Sequence, residues 1–121
     1  MDLNQKGVGS AMLATASGRI DLSNADDFTA ALSVALGAST GALILDLSKV
    51  DYISSAGLRS LMITLKASKT GNKSFGVASL QPMLSEIFTI ARLTQVIPIF
   101  PTTREAIAKL APDALAAFDA S

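Results

Sequence analysis

The sequence contains no cysteine and no histidine. Without cysteine, the chain has no disulfide framework, no thiolate nucleophile and no ligands for a cysteine-type zinc site. Without histidine, it has neither a Ser-His-Asp triad nor an imidazole general base. No cofactor-binding motif stands in their place. We therefore expect a protein that works by binding other molecules, without catalytic residues, a metal or a cofactor.

The sequence also lacks an excess of charge of either sign, since ten Lys and Arg residues balance ten Asp and Glu residues. A neutral chain has no electrostatic footprint for nucleic acid or an anionic membrane. No apolar run reaches the roughly 18–20 residues of a membrane span. The first residues carry an acid and a single lysine, and residues 8–16 alternate, which is not the pattern of a signal peptide. We expect a cytoplasmic protein with no nucleic-acid partner and no direct membrane insertion.

Apolar residues are plentiful. Half of the 121 residues are hydrophobic, and the mean hydropathy is +0.45. That composition is too apolar for a disordered chain and is sufficient to bury a core. The length predicts a single domain.

Strand and helix patterns alternate along the chain. Residues 10–16 alternate loosely before a turn-prone Ser17-Gly18 pair, which predicts two short strands or a hairpin. Apolar runs at 42–47, 74–80 and 96–100 predict buried strands. Helical spacing follows Asn24 as an N-cap, the segment 54–57, Pro82 as a first helical residue, and Thr102 or Thr103. This order predicts an α/β fold with a mixed, mostly parallel sheet of four or five strands and about four helices.

The predicted core comes from the apolar stripes of these helices and from the central strand. Its residues are Phe28, Leu32, Ile44, Leu45, Leu61, Leu65, Ile87 and Phe88.

The connection at residues 51–58 is the candidate functional site, because ligands of open α/β sheets bind at the carboxyl ends of the strands. Ser55 or its neighbour Ser54 is placed to cap the following helix, and Ala56 and Gly57 would allow close approach of another backbone. An N-cap is the simpler interpretation of these serines. The alternative is phosphorylation, because free amides and the helix dipole stabilise an anion at such a position.

The segment LILDLSKVDYISSAGL at residues 43–58 strongly resembles the STAS domain and, more narrowly, the bacterial anti-sigma factor antagonists. Gly18-Arg19-Ile20-Asp21 resembles the element that precedes the first helix in that family. The resemblance implies one STAS-like domain over residues 1–121, with a core at about 8–110 and a C-terminal tail at 111–121.

The resemblance implies signal transduction by partner switching, with transcription as the regulated output. In that family the unmodified antagonist binds an anti-sigma factor that is also a serine kinase, and the sigma factor is released. The kinase then phosphorylates a serine at the start of the second helix, and a phosphatase of the PP2C type resets the switch. The matching serine is Ser55. Ser54 is the second choice, because it stands where many members have Asp.

The same resemblance predicts the surface that binds the partner. It comprises Asp21, Tyr52, Ser54, Ser55, Ala56, Gly57 and Arg59. We expect Gly57 to matter because a side chain there would obstruct a partner's backbone. The alternative function is a STAS subunit that acts as a scaffold or binds a ligand without phosphorylation, in transport or lipid trafficking.

Overall fold

A five-stranded sheet organises the computed structural model, which describes residues 1–120. The strands β1 (Asp2–Val8), β2 (Ala11–Ile20), β3 (Ala42–Ile53), β4 (Ser74–Ala78) and β5 (Ile99–Phe100) lie in sequence order. The pair β1 and β2 is antiparallel, and all the other pairs are parallel. The predicted α/β class and the mixed, mostly parallel sheet are confirmed.

The N-terminal hairpin differs from the prediction. The chain turns at Gly9-Ser10, where Gly9 has a φ of +58°, and not at Ser17-Gly18. Gly18 lies within the ten-residue strand β2, with a φ of +92°, where the pairing with β3 shifts register. A bulge accommodates the positive φ without ending the strand, so the turn-prone pair bends β2 and does not terminate it.

Five α-helices within residues 1–120 connect and follow these strands. They are α1 (Ala25–Ala38), α2 (Ser55–Thr70), α3 (Pro82–Ile90), α4 (Thr103–Leu110) and α5 (Leu115–Ala120), with single 3-10 turns at Leu93–Gln95 and Pro112–Ala114. The fifth helix lies in the predicted tail, whose last residue, Ser121, is outside the described residues. Within residues 1–120, no helix combines the length and the apolar character needed to cross a membrane.

The core has two parts, one on each face of the sheet. Alternate residues of β3 face opposite sides: Leu43 and Leu45 pack with α1, α2 and α3, whereas Ala42 and Ile44 pack with α4. This is the arrangement expected of a central parallel strand. All of the predicted core residues are buried except Ile87, which is half-buried. The buried residues of α3 are Leu84 and Phe88.

The last strand is shorter than predicted, with only two residues, Ile99 and Phe100. Val96 is exposed, and the 3-10 turn occupies the chain just before it. The carbonyl of Pro98 accepts a hydrogen bond from the Val77 backbone N–H at 2.9 Å. The proline thus joins the sheet edge through its oxygen alone, since it has no N–H to donate.

Candidate functional site

The carboxyl ends of β2 and β3 lie side by side and bring together two segments that are distant in sequence. Arg19 is in register with Tyr52, and Ile20 with Ile53. The Ser54 backbone N–H donates to the Ile20 carbonyl oxygen at 2.9 Å. The loop after β2, with Asp21, therefore lies next to the start of α2, with Ser54 and Ser55. Parallel pairing of the two strands causes this proximity.

Asp21 is held in a local network at the rim of the site. Its Oδ1 accepts hydrogen bonds from the Ser23 hydroxyl at 2.5 Å and from the Ser23 backbone N–H at 3.0 Å. Its Oδ2 lies 3.6 Å from Arg19 Nε. The Ser23 hydroxyl above all, then the Ser23 N–H and Arg19, lower the pKa of the Asp21 carboxyl below its ordinary value. Asp21 is therefore a fixed negative charge at neutral pH.

Arg19 also contacts Tyr52, with its guanidinium carbon 4.1 Å from the centre of the ring. This cation–π contact links the end of β2 to the end of β3. Arg19 is thus engaged with a carboxylate and an aromatic ring at once. Tyr52, predicted for the partner surface, serves here as the platform for Arg19.

Asn24 occupies the N-cap position of α1 as predicted, but its side chain does not cap the helix. Its Oδ1 accepts from the Asp21 backbone N–H at 2.9 Å, and its Nδ2 donates to the Arg19 carbonyl at 2.8 Å. The side chain therefore closes the loop between β2 and α1 and so helps to place Asp21.

The two serines at the start of α2 have different environments. Ser54 is the N-cap, and its Oγ accepts a hydrogen bond from the Gly57 backbone N–H at 3.3 Å. Ser55 is the first residue of the helix and is exposed. Within the part of the chain that the structure describes, the Ser55 hydroxyl has no hydrogen-bond partner. The cap is Ser54, and the hydroxyl of Ser55 is free.

Gly57 faces the interior of the protein, which corrects the expectation that its space serves a partner's backbone. The residue is buried, and a Cβ built on it would lie 2.6 Å from Ile53 Cγ1 and 2.8 Å from Ile20 Cγ2. Carbon atoms in contact are normally about 3.5–4.0 Å apart. The absent side chain lets the first turn of α2 lie directly on the ends of β2 and β3. Gly57 positions the site and does not form its surface.

Two grooves flank the first turns of α2. The first, of about 300 Å³, lies between α1 and α2 and is lined by residues that include Leu22, Asp26, Ala56, Arg59 and Ile63. The second, of about 370 Å³, lies between α2 and α3 and is lined by residues that include Tyr52, Ser55, Leu58, Ile87 and Ile90. The exposed face of α2, with Ser55 and Arg59, forms the ridge between them.

Apolar side chains project into water beside both grooves. Leu22 is 84% exposed and Ile63 is 46% exposed at the first groove, and Ile90 is 75% exposed at the second. None of these three residues is among those predicted from the sequence for the partner surface. In the sequence, each of them is an apolar residue in a polar loop or away from the apolar stripe of its helix. Single apolar residues of this kind are common on protein surfaces and do not by themselves indicate a site. The structure places Leu22 and Ile63 at one groove and Ile90 at the other, so exposed apolar side chains lie on both sides of α2.

The chemistry available at this site is that of binding, together with the exposed hydroxyl of Ser55. Among residues 1–120, no group of three or more acidic side chains is arranged to hold a metal ion.

Comparison with known proteins shows similarity in sequence and in fold. Residues 2–106 match the STAS domain family. BtrV of Bordetella bronchiseptica, named as a candidate anti-sigma factor antagonist, is 29% identical over 108 residues, which are 89% of this chain and 92% of BtrV. An anti-sigma factor antagonist from Mycobacterium paratuberculosis has a crystal structure that superimposes with a TM-score of 0.82 at 25% identity, covering 90% of this chain and 92% of that one.

A more distant structural neighbour shows the likeness of the fold alone. SpoIIAA of Bacillus in its unphosphorylated form superimposes with a TM-score of 0.76 at 14% identity, covering 92% of this chain and 97% of SpoIIAA.

Proposed function

The chain belongs to the STAS domain family, and we propose that it is a cytoplasmic anti-sigma factor antagonist that binds an anti-sigma factor through the surface around Ser55. The partner in this proposal is also a serine kinase. It binds the unmodified protein, phosphorylates Ser55 and is then released. A phosphatase of the PP2C type removes the phosphate and restores binding.

The observation that carries the proposal is the difference between the two serines. The Ser54 oxygen is occupied by the Gly57 N–H, and modifying it would remove the N-cap of α2. The Ser55 hydroxyl is exposed and has no hydrogen-bond partner among residues 1–120, so a kinase reaches it without disturbing the fold. Ser55 is therefore the phosphoacceptor in this proposal.

The release step follows from charge and desolvation. A phosphate adds about −1.5 to −2 charges at neutral pH. A partner that covers the exposed Leu22 and Ile90 on either side of α2 must also cover Ser55, which lies between them. Burying negative charge that the partner does not compensate costs several kcal/mol, on the order of the free energy of a transient interface. The ionised Asp21 near the same helix end adds to the negative charge that the partner must cover.

The relatives support the same interpretation. BtrV and the Mycobacterium paratuberculosis protein are both named for antagonism of an anti-sigma factor. SpoIIAA has been determined in both an unphosphorylated and a phosphorylated form.

The test uses a serine kinase of the anti-sigma type, sought among the genes that neighbour this one. The wild type is incubated with the kinase and ATP, and the modified residue is mapped by mass spectrometry. Calorimetric titration then compares Ser55→Ala, Ser55→Asp and the control Ser54→Ala. We expect phosphate on Ser55, affinity retained by both alanine variants, and affinity reduced by about tenfold or more in Ser55→Asp.

Two other outcomes decide the alternatives. Phosphate on Ser54 would move the modified site by one residue. If neither serine is modified and Ser55→Asp binds as tightly as the wild type, the switch is refuted. The protein would then be a STAS subunit that acts as a scaffold or binds a ligand without phosphorylation.

A further inference from the structure

We propose that a phosphate on Ser55 is held by Arg59, one helical turn further along α2, in an ion pair that the unmodified protein does not contain. The inference rests on the proposed phosphorylation of Ser55. It assigns Arg59 a second role, in which its guanidinium pairs with the phosphate on Ser55 once the partner has left.

The geometry of α2 places the two side chains together. Ser55 and Arg59 are four residues apart in a regular helix of 16 residues, and both are exposed. Residues at this spacing are neighbours on the helix surface, with Cβ atoms about 5–6 Å apart. Arg59 lines the first groove and Ser55 the second. Helical side chains lean toward the N-terminus, so the long side chain of Arg59 can reach back over the turn that begins with Ser55. An acidic group one turn before a cation is the favourable order for such a pair.

Arg59 is a cation that remains available beside Ser55. It has no ion pair or hydrogen bond with any of residues 1–120. Arg19, by contrast, is already engaged by Asp21 and by the ring of Tyr52. The residues lining the two grooves include no other Lys or Arg.

Asp26 is the one acidic side chain that shares a groove with Arg59, and the two form no ion pair in the structure. A phosphate carries up to twice the charge of a carboxylate and offers three acceptor oxygens. A guanidinium binds two phosphate oxygens at once through parallel N–H donors. Phosphorylated Ser55 is therefore a stronger partner for Arg59 than Asp26 is.

The ion pair between the Ser55 phosphate and Arg59 changes the charges and donors on the surface that the partner contacts. In the unmodified protein, Arg59 stands free on the ridge between the grooves and can receive an acidic or carbonyl group of the partner. After phosphorylation, the guanidinium pairs with the phosphate and is no longer available to the partner. Modification of Ser55 thus adds a negative charge and removes a donor from the same surface.

The experiment measures the titration of the phosphate itself. Phosphoserine is incorporated at position 55 of the full chain during synthesis, so no kinase is needed. The second ionisation of the phosphate, near pH 6 for a free phosphoserine, is followed by phosphorus NMR. An ion pair with Arg59 favours the dianion and lowers the midpoint. We expect the midpoint to rise by about 0.3 pH in Arg59→Gln.

Lys66→Gln is the matched control, because it removes the same charge from the same exposed helix two turns beyond Arg59. We expect it to leave the midpoint unchanged, while Arg59→Lys gives an intermediate value. The other charged groups at the ends of β2, β3 and α3 are the same in all variants, so their effects cancel; they are Arg19, Asp21, Asp26, Asp51 and Arg92.

An unchanged midpoint in Arg59→Gln would overturn the pair, and so would an equal rise in Lys66→Gln, which would indicate only net charge. The result is independent of the kinase. If no kinase modifies Ser55 but the midpoint still depends on Arg59, the proposed function fails while the ion pair stands.

Discussion

Replacing Gly57 with alanine should lower the free energy of unfolding by about 1–2 kcal/mol, although glycine is normally the poorer residue in a helix. The new Cβ would lie 2.6 Å from Ile53 Cγ1 and 2.8 Å from Ile20 Cγ2, about an ångström inside normal contact. Both atoms are bonded directly to the Cβ of a β-branched side chain. They cannot move away unless χ1 leaves its preferred rotamer or the backbone shifts.

The magnitude is the difference between two opposing effects. Overpacking a core costs about 1–3 kcal/mol, and the rigidity of both isoleucines favours the upper half of that range. The higher helix propensity of alanine offsets at most about 1 kcal/mol of this cost. The net loss appears as a lower midpoint of urea unfolding, followed by circular dichroism, with the slope unchanged.

Gly37→Ala is the matched control, because Gly37 also lies in a helix but is exposed and has no atom within 4 Å of the position of its Cβ. We expect that variant to be more stable than the wild type by about 0.5–1 kcal/mol. The two substitutions are identical in chemistry and should have opposite signs. If Gly57→Ala is as stable as Gly37→Ala, then Gly57 is not needed for close packing of α2 on the sheet.

Two further predictions concern the ends of β2 and β3. Ser54→Ala should lower the free energy of unfolding by about 1 kcal/mol through loss of the N-cap. Ser55→Ala should change it by less than about 0.5 kcal/mol. Equal losses of stability in urea unfolding would contradict the assignment of Ser54 as the cap. Because the pKa of Asp21 is lowered in the folded protein, the stability it contributes is present above its ordinary pKa of 3.8 and is lost as the pH falls through the lowered value. Ser23→Ala should raise that pKa toward the ordinary value, as measured by carbon-13 NMR of the carboxyl; an unchanged pKa would show that Ser23 is not the main cause.

Local sequence determined most of the elements of this protein and the place of the candidate site. The apolar run from Ala42 specifies a strand buried on both faces, and the spacing of Leu58, Leu61 and Leu65 specifies a helix. Both patterns arise from the geometry of one element, so they can be recognised without knowing what packs against it. The chemistry of the segment from Ser54 to Gly57 likewise marks a helix start at the carboxyl end of a strand.

Tertiary structure alone decided the details that give the site its character. Nothing local distinguishes Gly18, which bends a strand, from Gly9, which ends one, because the difference depends on pairing with β3. Gly57 was expected to face a partner, and only the positions of Ile20 and Ile53 show that it faces the core.

The surface around Ser55 depends on tertiary structure for the same reason. Leu22, Ile63 and Ile90 come from a loop and two helices, and each alone is an ordinary exposed apolar residue. Local sequence reports the conformation of a segment, because that conformation depends on near neighbours. The surroundings of a side chain depend on residues far away in the chain. Only the packing of α1, α2 and α3 on the sheet places Leu22 and Ile63 at one groove beside α2, and Ile90 with Ser55 at the other.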